Sequence, residues 1–294
     1  VARIATVGPA GRSYAEAVAR LNAADPSVIE NFCGMLPVEL QETARVIARQ
    51  IDSLRREGGG IVLRHRCFVV LCGALAAIVL AASQGRADSR PIVVELFTSQ
   101  GCSSCPPADK LLGELAQRTD VLALGFHISY WDSLGWKDPL SSPASTDRQR
   151  TYASRLSGGQ VYTPQMVVEG TNEMVGSRRD EVLAALRDAH PVAAAALSFA
   201  ADRRSVTVGT GSGSGEVLLA RFAQRRATQV AAGENAGRAL EDINGVETLT
   251  TLGAWTGARA SFPIDPPKPG EGVAILVQAL DGRILGAAAL KSEQ

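Results

Sequence analysis

Apolar and polar positions divide the chain into two regimes. From Pro91 to Ala189, strand-length apolar runs alternate with helical periods. Ile92 to Phe97 reads as a buried strand, and Ser103 to Arg118 as a helix with Leu111, Leu112 and Leu115 on its inner face. Pro106 and Pro107 fall in the first turn of that helix, where a missing N–H does little harm. Val121 to Ile128 is continuously apolar, as befits a central strand covered on both faces. A loop rich in Trp, Gly, Asp and Pro follows. Ser142-Pro143 then reads as an N-cap and first-turn proline opening a helix to Leu156. Gln165 to Glu169 and Glu173 to Val175 are strands joined by a Gly170-Thr171-Asn172 turn, and Arg179 to Ala189 is an amphipathic helix with Val182, Leu183 and Leu186 inward. The order is β-α-β-α-β-β-α. Crossovers make the early strands parallel, and the late hairpin makes the sheet mixed.

From Val192 short strands take over: Ala196 to Phe199, Ser205 to Val208, Glu216 to Phe222, Thr228 to Ala232, Gly245 to Leu252, Ala258 to Phe262, Gly272 to Ala279 and Ile284 to Leu290. Turns such as Gly211-Ser212-Gly213-Ser214-Gly215 and Asp281-Gly282 separate them. This spacing predicts an all-β, sandwich-like domain of about 100 residues. With a boundary near His190-Pro191, residues 88–190 form an α/β domain and residues 191–294 a β-sandwich-like one. Gly233-Glu234-Asn235-Ala236-Gly237-Arg238, within the second, reads as a β-turn from its Gly and Asn content.

Upstream, residues 1–61 carry a helical period only from Leu36 to Arg56, ended by Gly58-Gly59-Gly60. Residues 62–87 read as a secretory signal. Arg64, His65 and Arg66 are its basic start, Cys67 to Ala82 its apolar stretch, and Gly85 and Ala87 match a small-x-small cleavage site. The apolar stretch falls short of the about 20 residues a membrane span needs. Two accounts fit a signal so far along the chain. Residues 1–61 stem from an upstream start assignment, with translation beginning near Val62 or Leu63, or the segment is a signal-anchor behind a cytoplasmic N-terminal piece.

At 294 residues, 46% hydrophobic and 20% charged, the chain has a globular composition. Its formal net charge is zero, and Arg203-Arg204 and Arg225-Arg226 are isolated pairs, so nothing resembles a nucleic-acid footprint. From Asp88 onward there are 20 Lys/Arg against 23 Asp/Glu, a net of −3, which suits a periplasmic or secreted protein and argues against an anionic partner. Of five cysteines, only Cys102 and Cys105 remain if cleavage follows Ala87. A lone pair in an oxidising compartment is expected to be bonded. The loop it closes is tiny and constrains the unfolded chain little, which favours a chemical role over a structural one.

Gly101-Cys102-Ser103-Ser104-Cys105-Pro106 lies where the first strand empties into the first helix. Cys-x-x-Cys lets two sulfurs bond across one helical turn, and the helix N-terminus favours the thiolate of the first. Zinc sites use the same spacing, so the surroundings must decide. The redox reading requires the Cys102 sulfur to be easily ionised and reachable from solvent.

The strand–Cys-x-x-Cys–helix turn, followed about 60 residues on by Val161-Tyr162-Thr163-Pro164 before a strand, resembles the thioredoxin superfamily. That resemblance implies a thioredoxin-like fold for residues 88–190. It also implies a cis bond between Thr163 and Pro164 that faces the disulfide and shapes a substrate groove. It suggests that Glu95 moves the proton of Cys105, although Glu95 lies one residue further from the first cysteine than in thioredoxin itself. Strand alternation offers the other reading, a salt-bridged residue on the far sheet face. The run from Val93 to Asp109, with Phe126-His127, Tyr130-Trp131-Asp132, Gly135-Trp136-Lys137-Asp138-Pro139 and Gly233 to Arg238, is similar to a bacterial family of secreted proteins of unknown function with a thioredoxin-like domain.

Three functions follow as expectations. The first is an exported thiol–disulfide oxidoreductase or redox partner in which Cys102 exchanges and Cys105 resolves. In it Trp131 and Trp136 wall the site, or merely pack the loop, and His127 stabilises a thiolate, or is a hydrogen-bonded core residue. The second is a copper-binding module using both thiolates and His127. The third is an envelope binding protein in which the cysteines only form a bridge. The expected partners are protein thiols or disulfides, with no cofactor, no nucleic acid, and no membrane except through an uncleaved signal.

Overall fold

A computed structural model describes residues 90–191 and 193–292. The helical pattern at Leu36 to Arg56, the 62–87 signal pattern, and Cys33, Cys67 and Cys72 lie outside the described residues. The first seven elements follow the order that the hydrophobic pattern predicts: β1 (Ile92–Thr98), α1 (Pro106–Leu115), β2 (Val121–His127), α2 (Pro143–Leu156), β3 (Gln165–Val168), β4 (Asn172–Val175) and α3 (Arg179–Asp188). The stop and start signals act as the residues suggest. Cys105 caps α1 and two prolines occupy its first turn. The Ser142 hydroxyl accepts the Ser145 N–H at 3.1 Å at the head of α2. Then come β5 (Leu197–Phe199), β6 (Ser205–Val208), β7 (Gly215–Gln229), β8 (Ala239–Trp255), β9 (Ala260–Pro263), β10 (Glu271–Gln278) and β11 (Ile284–Lys291).

The architecture is mixed α/β, with one large mixed sheet and one minor antiparallel sheet. The large sheet has the order β11-β10-β7-β8-β2-β1-β3-β4, and the small one β5-β6-β9. The β-rich half therefore differs from the expected free-standing sandwich. Four of its strands extend the first sheet outward from β2, and the other three form the small sheet. The seam is the parallel pairing of Gly125 in β2 with Gly245 in β8. The approach is close: a Cβ on Gly245 would lie 2.8 Å from the end of the Leu140 side chain, which would have to shift. Beside the seam the Asn244 amide donates to the Ala123 carbonyl at 2.9 Å.

Strand alternation divides the apolar residues among three cores. On one face, Val93 and Phe97 of β1, Leu122, Leu124 and Phe126 of β2, and Leu218, Ala220 and Phe222 of β7 share a core with Tyr152 of α2. On the other face, Ile92, Val94 and Leu96 meet Leu111, Leu112 and Leu115 of α1 and Val182 and Leu186 of α3. Further along that sheet, Val217 and Leu219 of β7 and Val273, Ile275 and Val277 of β10 pack with Val206 and Val208 of β6. The first core runs through both halves of the chain, so burial as well as hydrogen bonding joins them.

The strands β7 and β8, of 15 and 17 residues, outrun the apolar segments that mark them in the sequence. Their outer arms are polar, with Arg225 paired to Glu241 across the hairpin. Residues 230–238 form the tip, a turn stabilised internally by Gly237 N–H to Val230 O at 2.8 Å and Ala236 N–H to Gly233 O at 3.2 Å. The β-turn reading of this segment fits that geometry.

Candidate functional site

The Cys102-to-Cys105 turn leaves β1 after Thr98 and delivers Cys105 to the cap of α1. The two cysteines are joined as a disulfide with Cα atoms 5.5 Å apart. Ser103 and Ser104 face solvent. The Ser104 hydroxyl lies 3.2 Å from the Cys102 sulfur and 3.5 Å from the Thr163 carbonyl. Thr163 and Pro164 thus sit beside the cysteine turn as the resemblance implies, and the peptide bond between them is cis.

Accessibility of Cys102 departs from expectation. Both cysteines are 0% exposed in the disulfide form. The tip of the β7–β8 hairpin is hydrogen-bonded to this turn. Buried Asn235 donates from Nδ2 to the carbonyls of Gln100 at 2.9 Å and Cys102 at 2.8 Å, and its Oδ1 accepts from Arg238 at 3.1 Å. Its neighbour Glu234 accepts from the Ser103 N–H at 3.0 Å and the Ser103 hydroxyl at 2.6 Å. Those two hydrogen bonds, side chain first, hold the Glu234 carboxyl below its ordinary range.

The two tryptophans pack the loop down and also touch the site. Trp131 Nε1 donates to the Thr163 hydroxyl at 2.9 Å, and its Cβ lies against Gly101, 3.5 Å from where a Cβ there would stand. Trp136 Nε1 donates to Gln100 Oε1 at 3.2 Å, and the Trp136 Cβ lies close to Gly233 of the tip. Each tryptophan braces the cysteine turn, one from the Pro164 side and one from the hairpin side.

Below the turn lies a buried charged cluster. His127, at the end of β2, bonds Asp138 through Nδ1 at 2.7 Å and faces Asp242 of β8 through Nε2 at 3.7 Å. Burial disfavours its charge. The Asp138 hydrogen bond and the charges of Asp138, Asp242 and Asp109 outweigh that and raise it to about 9, so His127 is an imidazolium at neutral pH. Burial works against the charge of Asp138 too, but His127 and the N–H groups of Gln100 and Leu140 hold it below the usual carboxylate range. Burial raises Asp242 above its ordinary value, against the pull of His127 and Gln100. Gln100 ties these parts together. Its N–H donates to Asp138 at 2.7 Å, and its amide donates to Asp242 at 2.6 Å and Thr228 at 3.0 Å. With both ring nitrogens turned to carboxylates, His127 is not placed as a third ligand for a metal on the sulfurs. Among the described residues no group of three or more His, Cys, Asp or Glu is arranged to hold a metal ion.

Asp109 is a further acid at this end of α1, one turn beyond Cys105, whose carbonyl accepts its N–H at 3.1 Å. Its carboxylate accepts from the Thr98 hydroxyl at 2.7 Å. Burial raises the group to about 7, against the pull of His127 and Thr98 and with help from Asp242 and Asp138.

Glu95 is elsewhere. It shares the sheet face of Val93 and Phe97, opposite α1, and is fully buried. Arg148 of α2 grips it with Nε at 2.6 Å and Nη2 at 3.0 Å, and the Tyr152 hydroxyl also donates to it. Strand alternation has prevailed, and the carboxylate belongs to an ion pair rather than to the cysteines. The residues that sequence reasoning passed over are Gln100, Asp109, Asp138, Asp242, Glu234 and Asn235. A signal for Asp109 existed in its position four residues after Cys105 in a helix. Glu234 and Asn235 lie in a segment that carries the family resemblance, but nothing local shows that they reach the turn, across more than a hundred residues.

A family model described as a protein of unknown function, DUF1223, matches residues 93–278. The chain belongs to the DUF1223 family. The matched span includes both the cysteine turn and the hairpin tip bonded to it, so the DUF1223 region extends into the β-rich half as well. Among solved structures, the crystal structure of protein AGR_C_4864 from Agrobacterium tumefaciens is similar, at 31% identity and a TM-score of 0.57. That alignment covers 69% of this chain and 96% of the other. An endonuclease/exonuclease/phosphatase from Beutenbergia cavernae aligns over 33% of this chain and 22% of its own, at 21% identity and a TM-score of 0.12, too little to carry an argument. No curated protein matches the chain.

Proposed function

We propose that this DUF1223 protein is an exported thiol–disulfide oxidoreductase or redox partner with a thioredoxin-like arrangement around Cys102 and Cys105. The observation that carries the reading is the position of the disulfide, at the strand-to-helix turn that opens α1, with Thr163 and Pro164 alongside. A bridge between residues three apart restrains almost nothing else in the chain, so its value is chemical. In the oxidising direction, a partner thiolate attacks the Cys102 sulfur and the Cys102–Cys105 bond breaks. Cys105 leaves as a thiolate. A second partner thiol, deprotonated, attacks the mixed disulfide and releases Cys102. The partner dithiol ends as a disulfide, and its two protons end on Cys102 and Cys105. Asp109, one turn from Cys105 and close to half-protonated at neutral pH, suits the proton traffic.

Burial of both sulfurs favours a second reading, an envelope binding protein whose bridge is structural. One experiment separates the two. A Cys105→Ser variant of the full chain is incubated with cell-envelope protein and run without reductant. The redox reading expects mixed disulfides through Cys102 that are absent from a Cys102→Ser variant. Equal trapping in both variants overturns the assignment of roles. No trapping, together with a wild-type disulfide that resists dithiothreitol and shows no turnover of insulin, establishes the structural bridge.

A further inference from the structure

The hairpin tip makes its own backbone hydrogen bonds and needs none from the cysteine turn. Its hydrogen bonds to the turn come from two side chains, Glu234 on Ser103 and Asn235 on the carbonyls of Gln100 and Cys102, while Trp136 packs against Gly233 beside them. The Glu234 contacts are exposed and open to competition from water, whereas the Asn235 contacts are buried. Ser103 and Ser104 face outward while the sulfurs do not, so solvent meets hydroxyl groups where the chemistry would need a sulfur.

We propose that Glu234 and Asn235 are specificity-determining residues of the cysteine site, latching the hairpin tip over the disulfide so that a polypeptide thiol gains entry and a small thiol does not. This rests on the redox reading above. Lifting the tip uncovers two carbonyl acceptors, on Gln100 and Cys102, and one N–H donor, on Ser103. A bare thiol cannot satisfy that set. An extended peptide bearing the attacking cysteine can, because its backbone offers donors and acceptors along the same line. The partner class is therefore a protein with an unfolded or loop-borne cysteine. The tip acts as an internal substitute for it, and Asn235 and Glu234 work through the position of the tip without touching the reacting sulfurs.

The test follows reduction of the disulfide in the full chain, by thiol alkylation and gel shift, against rising dithiothreitol and against a reduced cysteine-containing peptide. For the wild type, the rate with dithiothreitol should reach a plateau set by tip opening. Asn235→Ala should raise that rate about tenfold, the scale of two net hydrogen bonds, and Glu234→Ala a few fold. Both should narrow the preference for peptide over dithiothreitol. Glu234 is exposed, so Glu234→Ala stays folded and decides the matter should Asn235→Ala fold poorly. A wild-type rate that climbs linearly with dithiothreitol and is unchanged in both variants overturns the latch. Trapping through Cys102 reports separately on the redox reading. Trapping with unaltered variant rates removes the latch and keeps the function, whereas accelerated variants without trapping keep the cover and remove the function.

Discussion

Replacing Asp109 with Asn should make the protein more stable at alkaline pH and leave it unchanged in acid. Burial raises this carboxyl from 3.8 to about 7, so its ionised form is disfavoured in the fold. The folded value lies above the unfolded one, and the folded state holds the extra proton between the two. Stability is therefore full below about pH 4 and is lost as the pH rises through about 7. A rise of that size corresponds to about 4 kcal/mol. Asp109 keeps part of its surface in solvent, and screening there reduces the figure to about 2 kcal/mol. Asparagine retains an oxygen for the Thr98 hydroxyl and removes the charge. Urea unfolding of the oxidised chain should place Asp109→Asn about 2 kcal/mol above the wild type at pH 8 and level with it at pH 4. A variant that gains nothing over the wild type between pH 4 and pH 8 would refute the reasoning, and one that loses more at pH 8 would show that attraction to His127 outweighs the cost of burial. On the redox reading the same substitution carries a functional penalty, a slower exchange whose pH profile loses its step near neutrality. On that reading, a carboxylate retained at the expense of stability is what a proton-transfer role would leave behind.

Two further outcomes follow from the buried ionic groups. His127 is raised from 6.5 to about 9, so its contribution is complete below about pH 6.5 and vanishes as the pH passes 9. Between pH 6 and pH 10 the wild type should lose about 3 kcal/mol more than His127→Gln in urea titrations, and parallel curves would count against the imidazolium. Arg148→Met strands the Glu95 carboxylate in a closed core with the Tyr152 hydroxyl, at a cost of about 3–5 kcal/mol by denaturant melting. The double variant Glu95→Leu/Arg148→Met should recover most of that, and a single variant costing under about 1 kcal/mol would show that the pair contributes little.

Local signals were sufficient for the elements around the cysteines. Proline at the start of α1, Ser142-Pro143 at the start of α2 and the continuous apolar run of β2 each have one physical reading, and the structure follows them. The same reasoning could not see that β8 joins β2. The decisive residues there are two glycines and an asparagine, which carry no hydrophobic period, and their pairing spans about 120 residues. The outer arms of β7 and β8 escaped notice for a related reason. They are largely polar in sequence, so the pairing of Arg225 with Glu241 looks like any loop until the partner strand is known. At the site, Cys102, Cys105, Thr163 and Pro164 come together as their order along the chain suggests. The Gly233 to Arg238 segment could be named a turn, yet what that turn touches depends on the reach of a hairpin, and no local pattern encodes reach. Glu95 was an even choice between two faces, decided by the neighbours Arg148 and Tyr152.

The Gly125–Gly245 seam also governs how this molecule can be divided. A version ended at Pro191 would leave the backbone of β2 bare along the side where β8 crosses it. That strand is buried from end to end, and an uncovered strand edge invites pairing with foreign strands. Inheritance of the first half alone would therefore carry a hazard of aggregation. The β-rich half acts as its permanent sheath, which gives evolution a reason to keep the two together whatever becomes of the sulfur chemistry.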